Sequence, residues 1–231
     1  MAVEHFFDQS FFITELFFTV IAVIFCFLIY FKTKEIYVLT KYEGIKYFRD
    51  AFLFFGMSYV IRFLFGLVIV STMELEVYIP RKIFVLIFIL PLGYFSTIGI
   101  FYLVFSSVWK KFKSRTLMIF GHSVAVLLSV ISLITRSHLI LLVFQSALLI
   151  LAVILSGVIR KKEKKISRMR MLYFLISVLW LINLWVIDRR KPFSVEIEIF
   201  FEVVSLAVFI AIYFKISKWV RWAAKKGKGW K

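Results

Sequence analysis

The chain has 231 residues, 62% of them hydrophobic and 19% aromatic, with a mean hydropathy of +0.95. That much apolar surface exceeds what a soluble domain of this length buries, which excludes a water-soluble globule. Its 30 lysines and arginines oppose 13 acids, a net charge of +17; where the bases fall decides between nucleic acid and membrane as their counterpart.

A helix rises ~1.5 Å per residue, so about 20 mostly apolar residues cross a hydrocarbon core of about 30 Å. Runs of that kind predict spans at Phe11–Phe31, Phe48–Ser71, Ile83–Trp109, Thr116–Thr135, Leu139–Ile159, Met171–Ile187 and Ile197–Val220. The expectation is an all-α integral membrane protein: a single seven-transmembrane-helix bundle over residues 1–231, with no separate globular part. Span one carries Glu4, Asp8 and Glu15 and lacks a basic leader or a small-residue cleavage site. It therefore reads as a retained anchor and not as a removed signal peptide.

Basic residues alternate from one connection to the next. The connection after span one holds Lys32, Lys34, Lys41, Lys46 and Arg49, and that after span three holds Lys110, Lys111, Lys113 and Arg115. A dense run follows span five, from Arg160 to Arg170, and another occupies the tail from Lys215 to Lys231. The remaining connections are mixed or short: Glu74, Glu76, Arg81 and Lys82; Arg136; then Asp188 to Glu198. The positive-inside rule puts the N-terminus outside and the C-terminus in the cytoplasm of a cell-membrane protein. The bases then face anionic lipid headgroups at the inner surface, which explains the charge without nucleic acid. The tail Trp219–Lys231, with Trp219, Trp222 and Trp230 among lysines, reads as an interfacial anchor.

Within Lys32–Tyr47, Ile36, Leu39, Tyr42 and Ile45 recur at helical spacing among charges. This predicts an amphipathic segment lying on the inner leaflet, or else an inward extension of span two. Arg136–His138 is short enough to force a hairpin between spans four and five. In span three, Pro91 removes a backbone hydrogen bond and predicts a kink near Phe88–Leu92, a candidate hinge. Small residues four apart, at Gly93/Thr97, Ala125/Ser129, Ala152/Ser156 and Ala207/Ala211, predict close helix seams.

Ionisable groups inside the bilayer are the candidates for function. Arg62 lies about nine residues, or ~14 Å, from the outer end of span two, where an arginine costs ~2.5–3.5 kcal/mol and needs a partner. Glu15 and Glu202, at roughly 6 Å depth, are the candidates. Gln145, Asn183, Ser58 and Tyr59 lie at compatible depths, and together these residues outline an outward-facing polar pocket. Two readings follow: an ion pair that locks spans one, two and seven, or an anion or carboxylate contact at the pocket floor. Glu198 and Glu202 share a helix face and read as rim charges balanced by Arg189, Arg190 and Lys191, or as a paired acid site. His122 reads as a buried hydrogen-bonder, and Asp50 as a partner of Arg49, Lys46 or the basic connection after span three.

No zinc spacing, haem-ligating histidine pair or catalytic motif is present, so no metal, cofactor or enzyme activity is expected. Cys26 is the single cysteine. The plan resembles that of retinal proteins and heptahelical receptors, but the resemblance stops at topology. The last-span lysine Lys215 lies near the inner face, not deep in the span, and the inner end of span three reads Val108-Trp109-Lys110. Architecture alone assigns no family. The expectation for function is a sensor or receptor-like protein that takes a signal from outside and hands it to a cytoplasmic signalling partner. The alternative is a small-solute or proton-coupled transporter. The oligomeric state is left open.

Overall fold

The computed structural model describes residues 9–74, 81–109, 114–135, 138–158, 167–187 and 195–227. They form seven helices: α1 Gln9–Thr40, α2 Glu43–Glu74, α3 Arg81–Val108, α4 Ser114–Thr135, α5 His138–Val158, α6 Ser167–Ile187 and α7 Val195–Gly227. Five of them, α1 to α4 and α7, are long and apolar enough to cross a membrane. The apolar parts of α5 and α6, Leu139–Leu155 and Met171–Asn183, are shorter. Large apolar side chains such as Phe17, Ile24, Phe31, Ile134, Val143 and Phe214 point outward. A surface of that kind suits hydrocarbon and not water, so the protein is an α-helical, multi-pass membrane protein.

Helix neighbours close into a ring: α1 against α2, α2 against α3, α3 against α5, α5 against α6, α6 against α7, and α7 back against α1. Helix α4 lies outside this ring, on α3 and α5. The residues linking α4 to α5, 136–137, lie outside the described residues, though the two helices are in contact.

Four helices contribute stripes with alternating steps of three and four, the period that keeps one face of a helix inward. On α2 the stripe includes the buried Phe48, Phe52, Phe55 and Tyr59; on α1 it includes Phe18, Ala22, Cys26, Ile29, Thr33 and Ile36. Helix α6 buries Tyr173, Ile176, Trp180 and Asn183, while α7 buries Glu202, Ser205, Phe209, Ile212 and Ile216. The α2 stripe is an aromatic spine. Phe48 meets Tyr173 edge-on at 5.8 Å, Phe55 stacks on Trp180 at 4.3 Å, and Tyr59 meets Phe18 of α1 and Phe209 of α7. Gly99 of α3 makes room for it, since a Cβ there would come within 2.6 Å of the Phe55 ring.

At the other end of the spine, Ser106 of α3 donates to the Gly44 carbonyl at 2.6 Å and is hydrogen-bonded to the Tyr173 hydroxyl. One serine thus joins the ends of α2, α3 and α6.

Several expectations are corrected. Of the two readings of Lys32–Tyr47, the separate amphipathic segment is corrected and an extension of span two is found: α1 runs on to Thr40 and α2 starts at Glu43, ahead of Phe48. Lys41 turns the chain with φ 52° and donates its N–H to the Tyr37 carbonyl at 2.7 Å, a left-handed helix terminus. Ile36 at the end of α1 and Ile45 at the start of α2 are buried in the bundle, whereas Leu39 is exposed, so the four positions do not mark the face of one helix. At 32 residues, α1 is about 48 Å long and overshoots a core of about 30 Å. Helix α7 likewise continues to Gly227, so Trp219 and Trp222 lie on a helix; residues 228–231, with Trp230, are outside the described residues.

Among the small pairs, Gly93 faces Ser129, whose Oγ would lie 3.2 Å from a Cβ at Gly93, so two of the expected seams meet each other. Ala152 is buried, while the side chain of Ser156 lies outside the described residues. Ala207 and Ala211 are exposed and form no seam within the bundle, because the buried stripe of α7 runs on its other face. Helix α3 passes through Pro91 without a break in helix assignment; the missing N–H leaves the carbonyl of Ile87 without its helical donor.

Candidate functional site

Each of the four stripes ends in a polar side chain at the same end of the bundle. One step of three beyond Phe18 on α1 is Glu15, and one step of three beyond Tyr59 on α2 is Arg62. On α6 the stripe ends at Asn183, and on α7 it ends at Glu202, a step of three before Ser205. Periodicity therefore carries these groups inward, where they form one polar layer above the aromatic spine.

Arg62 and Glu15 form an ion pair. The arginine Nε and Nη2 approach the same carboxylate oxygen, Oε1, at 3.2 and 3.1 Å. Their side chains are only 9% and 14% exposed, so water screens the pair weakly. The guanidinium lies over the Phe18 ring at 5.9 Å, adding a cation–π contact on α1. Glu202 is 4% exposed and lies within electrostatic reach of both Arg62 and Glu15. Glu198, one turn earlier on α7, is half-buried and also reaches Glu202. Glu202 is therefore no rim charge. Residues 189–191, its expected counterweights, lie outside the described residues.

Four polar atoms of this layer are buried with no hydrogen-bond partner among the described residues: Arg62 Nη1, Tyr59 OH, Trp180 Nε1 and Glu202 Oε1. The first three can donate and the last can accept. An unmet buried polar atom costs about 1–3 kcal/mol, so a group of four favours a small polar guest or a proton. Asn183 donates to the Leu179 carbonyl at 2.7 Å and to Ser205 Oγ at 3.4 Å, which ties α6 to α7 beneath Glu202.

Of the expected site residues, the structure thus gathers Arg62, Glu15, Glu202, Tyr59 and Asn183. Gln145 belongs elsewhere. Its amide donates to Ser96 Oγ at 2.7 Å and Thr97 Oγ1 at 2.8 Å, fastening α5 to α3. Ser58 is buried one position before Tyr59 on α2. Trp180 and Ser205 were not singled out by sequence; the signal for both is their place on the buried stripes of α6 and α7.

A second polar string runs along α3 and α4. Tyr94 OH is 2.7 Å from His122 Nδ1, and Tyr102 OH is 3.4 Å from His122 Nε2. Asp50 lies within electrostatic reach of Tyr102 and pairs with Arg49 at 2.6 Å. Arg49 in turn caps the Tyr30 and Tyr37 rings of α1 at 5.3 and 5.7 Å. Among the described residues, no group of three or more His, Cys, Asp and Glu side chains is placed to hold a metal ion.

No family model matches the chain, and no solved structure matches it. An uncharacterized protein of Archaeoglobus fulgidus is 28% identical over 212 residues, which cover 90% of this chain and 92% of the relative. The similarity spans nearly the whole length of both proteins.

Proposed function

We propose that this chain is a seven-span protein of the cell membrane, with its N-terminus outside and its C-terminus in the cytoplasm, that works as a small sensor. The observation that carries this reading is the buried Arg62–Glu15 pair beside Glu202, whose Oε1 lacks a partner among the described residues. One guanidinium is paired with one carboxyl and lies within electrostatic reach of a second on another helix, so the group has two pairings available. A ligand or ion arriving from the outer side that engages Arg62 or Glu202 changes how α1, α2 and α7 are tied. The inner ends of α1 and α7 carry the bases that face anionic headgroups and a separate cytoplasmic signalling partner.

Outward access tests it. In a Cys26→Ala background, Tyr59→Cys is exposed to a membrane-impermeant thiol reagent from each side of sealed vesicles. The expected result is labelling from the outer side; labelling from the inner side alone, or from neither, contradicts the reading.

One observation favours a second reading, proton-coupled transport. The Asp50, Tyr102, His122 and Tyr94 string supplies titratable groups along the other half of the bundle, as a proton route would need. A pH-driven flux in liposomes that His122→Phe abolishes would support transport over sensing.

A further inference from the structure

Among the described residues, the polar layer holds one permanent positive charge and two carboxyls, with the half-buried Glu198 beside them. Arg62 supplies the charge; Glu15 and Glu202 supply the acids. With both ionised, the group carries a net negative charge out of water, an arrangement that low polarity disfavours. Glu15 holds two of the three guanidinium nitrogens on one oxygen. Glu202, buried to 4% exposure, has an oxygen with no donor among the described residues, and Arg62 Nη1 has no acceptor among them. A donor and an acceptor thus stand unmet within the same layer and within electrostatic reach.

We propose that this layer binds one proton, carried by the Glu202 carboxyl, and that its release draws the Arg62 guanidinium from Glu15 towards Glu202. The step is a simple ionisation: the O–H bond of the acid breaks, the proton leaves to water, and the electron pair stays on the carboxylate. The new carboxylate then accepts the Arg62 Nη1–H that has no partner in the protonated form. Three helices are retied by one proton, since Arg62 moves from an α1–α2 bond to one that also includes α7. The groups facing Glu202 from its neighbours are Glu15 of α1 and Arg62 and Tyr59 of α2. Helix α6 contributes the neutral Trp180 and Asn183 to the layer, and Glu198 follows on α7 itself. This inference rests on the reading of the polar layer as the working centre, and it names the proton as the ion that layer senses.

The experiment is infrared difference spectroscopy of the full chain in lipid vesicles between acid and alkaline pH. The expected spectrum contains one carboxylic-acid C=O band from a buried group, lost on alkalinisation. Glu202→Gln removes the band. Glu15→Gln removes it too, because Arg62, released from Glu15, then balances the Glu202 carboxylate. Glu15→Asp, which keeps both acids, retains the band and guards against a variant that merely fails to fold. No such band in the wild type, or a band that survives Glu202→Gln or Glu15→Gln in folded protein, overturns the proposal. Because the measurement reads the proton and not a response, that failure would leave the sensing of another ligand standing.

Discussion

Arg62 spends two of its three guanidinium nitrogens, Nε and Nη2, on a single oxygen of Glu15 and leaves Nη1 without a partner among the described residues. A pair committed wholly to structure would use both carboxylate oxygens in a parallel fork, the stronger arrangement. The one-oxygen contact keeps a donor in hand beside a second acid. This geometry sets the first expectation.

Removing one member of the pair leaves an uncompensated charge in a buried place. Arg62→Met should therefore lower stability by about 3 kcal/mol, the lower end for breaking a buried pair, given its residual exposure. Combining it with Glu15→Gln should restore most of the loss. Unfolding of the single and double variants in mixed detergent micelles checks this; purely additive losses would mean that the two side chains do not interact.

Phe55 is held between Gly99 on one side and Trp180 on the other. A methyl group at Gly99 has no flexible neighbour to displace, because the ring it meets is already stacked. Gly99→Ala should cost about 1–3 kcal/mol through overpacking. Trimming the ring with Phe55→Leu in the same protein should return part of it. Thermal melts followed by circular dichroism read both.

Gln145 fastens α5 to α3 through two hydroxyls, away from the Arg62 pairings. Gln145→Leu should cost about 0.6–1.7 kcal/mol, the range for hydrogen bonds between membrane helices. It should leave the pH-dependent carboxyl band unchanged. Loss of that band in Gln145→Leu would put the residue back into the polar layer.

Lys218 and Arg221 are exposed on the last turns of α7, beside Trp219 and Trp222. Replacing either base with glutamine should weaken retention of anionic lipid about fivefold for each charge removed, with neutral lipid unaffected. Native mass spectrometry of the protein in mixed vesicles or micelles measures it.

The helical runs were legible in the sequence because a hydrocarbon-crossing helix has to be long and apolar. The inward direction of Arg62 was also legible, because a guanidinium far from either membrane surface needs a partner within the bundle. Gln145 shows where this stops. Depth along a helix says nothing about which way a side chain points around it, so residues at one depth need not share a site. The spacing of Ile36, Leu39, Tyr42 and Ile45 misled because it runs across the turn at Lys41: Ile36 and Ile45 are buried on different helices and Leu39 is exposed. Trp180 and Ser205 escaped notice because aromatic and small hydroxyl side chains are common in such helices, and only the packing singles these out. The pairing of His122 with Tyr94 and Tyr102 joins residues of two helices, which no local spacing encodes.

The account stands or falls on whether the Arg62 pairing is felt at the far end of the bundle. Spin labels at Leu39→Cys on α1 and Lys218→Cys on α7, in a Cys26→Ala background, place probes on exposed positions at the basic ends of the two helices, away from Arg62. The distance distribution between them, measured by pulsed electron paramagnetic resonance in lipid, should shift when Glu15→Gln releases Arg62. Superimposable distributions in folded protein with and without that substitution would contradict a switch and leave the pair as a static tie between α1 and α2.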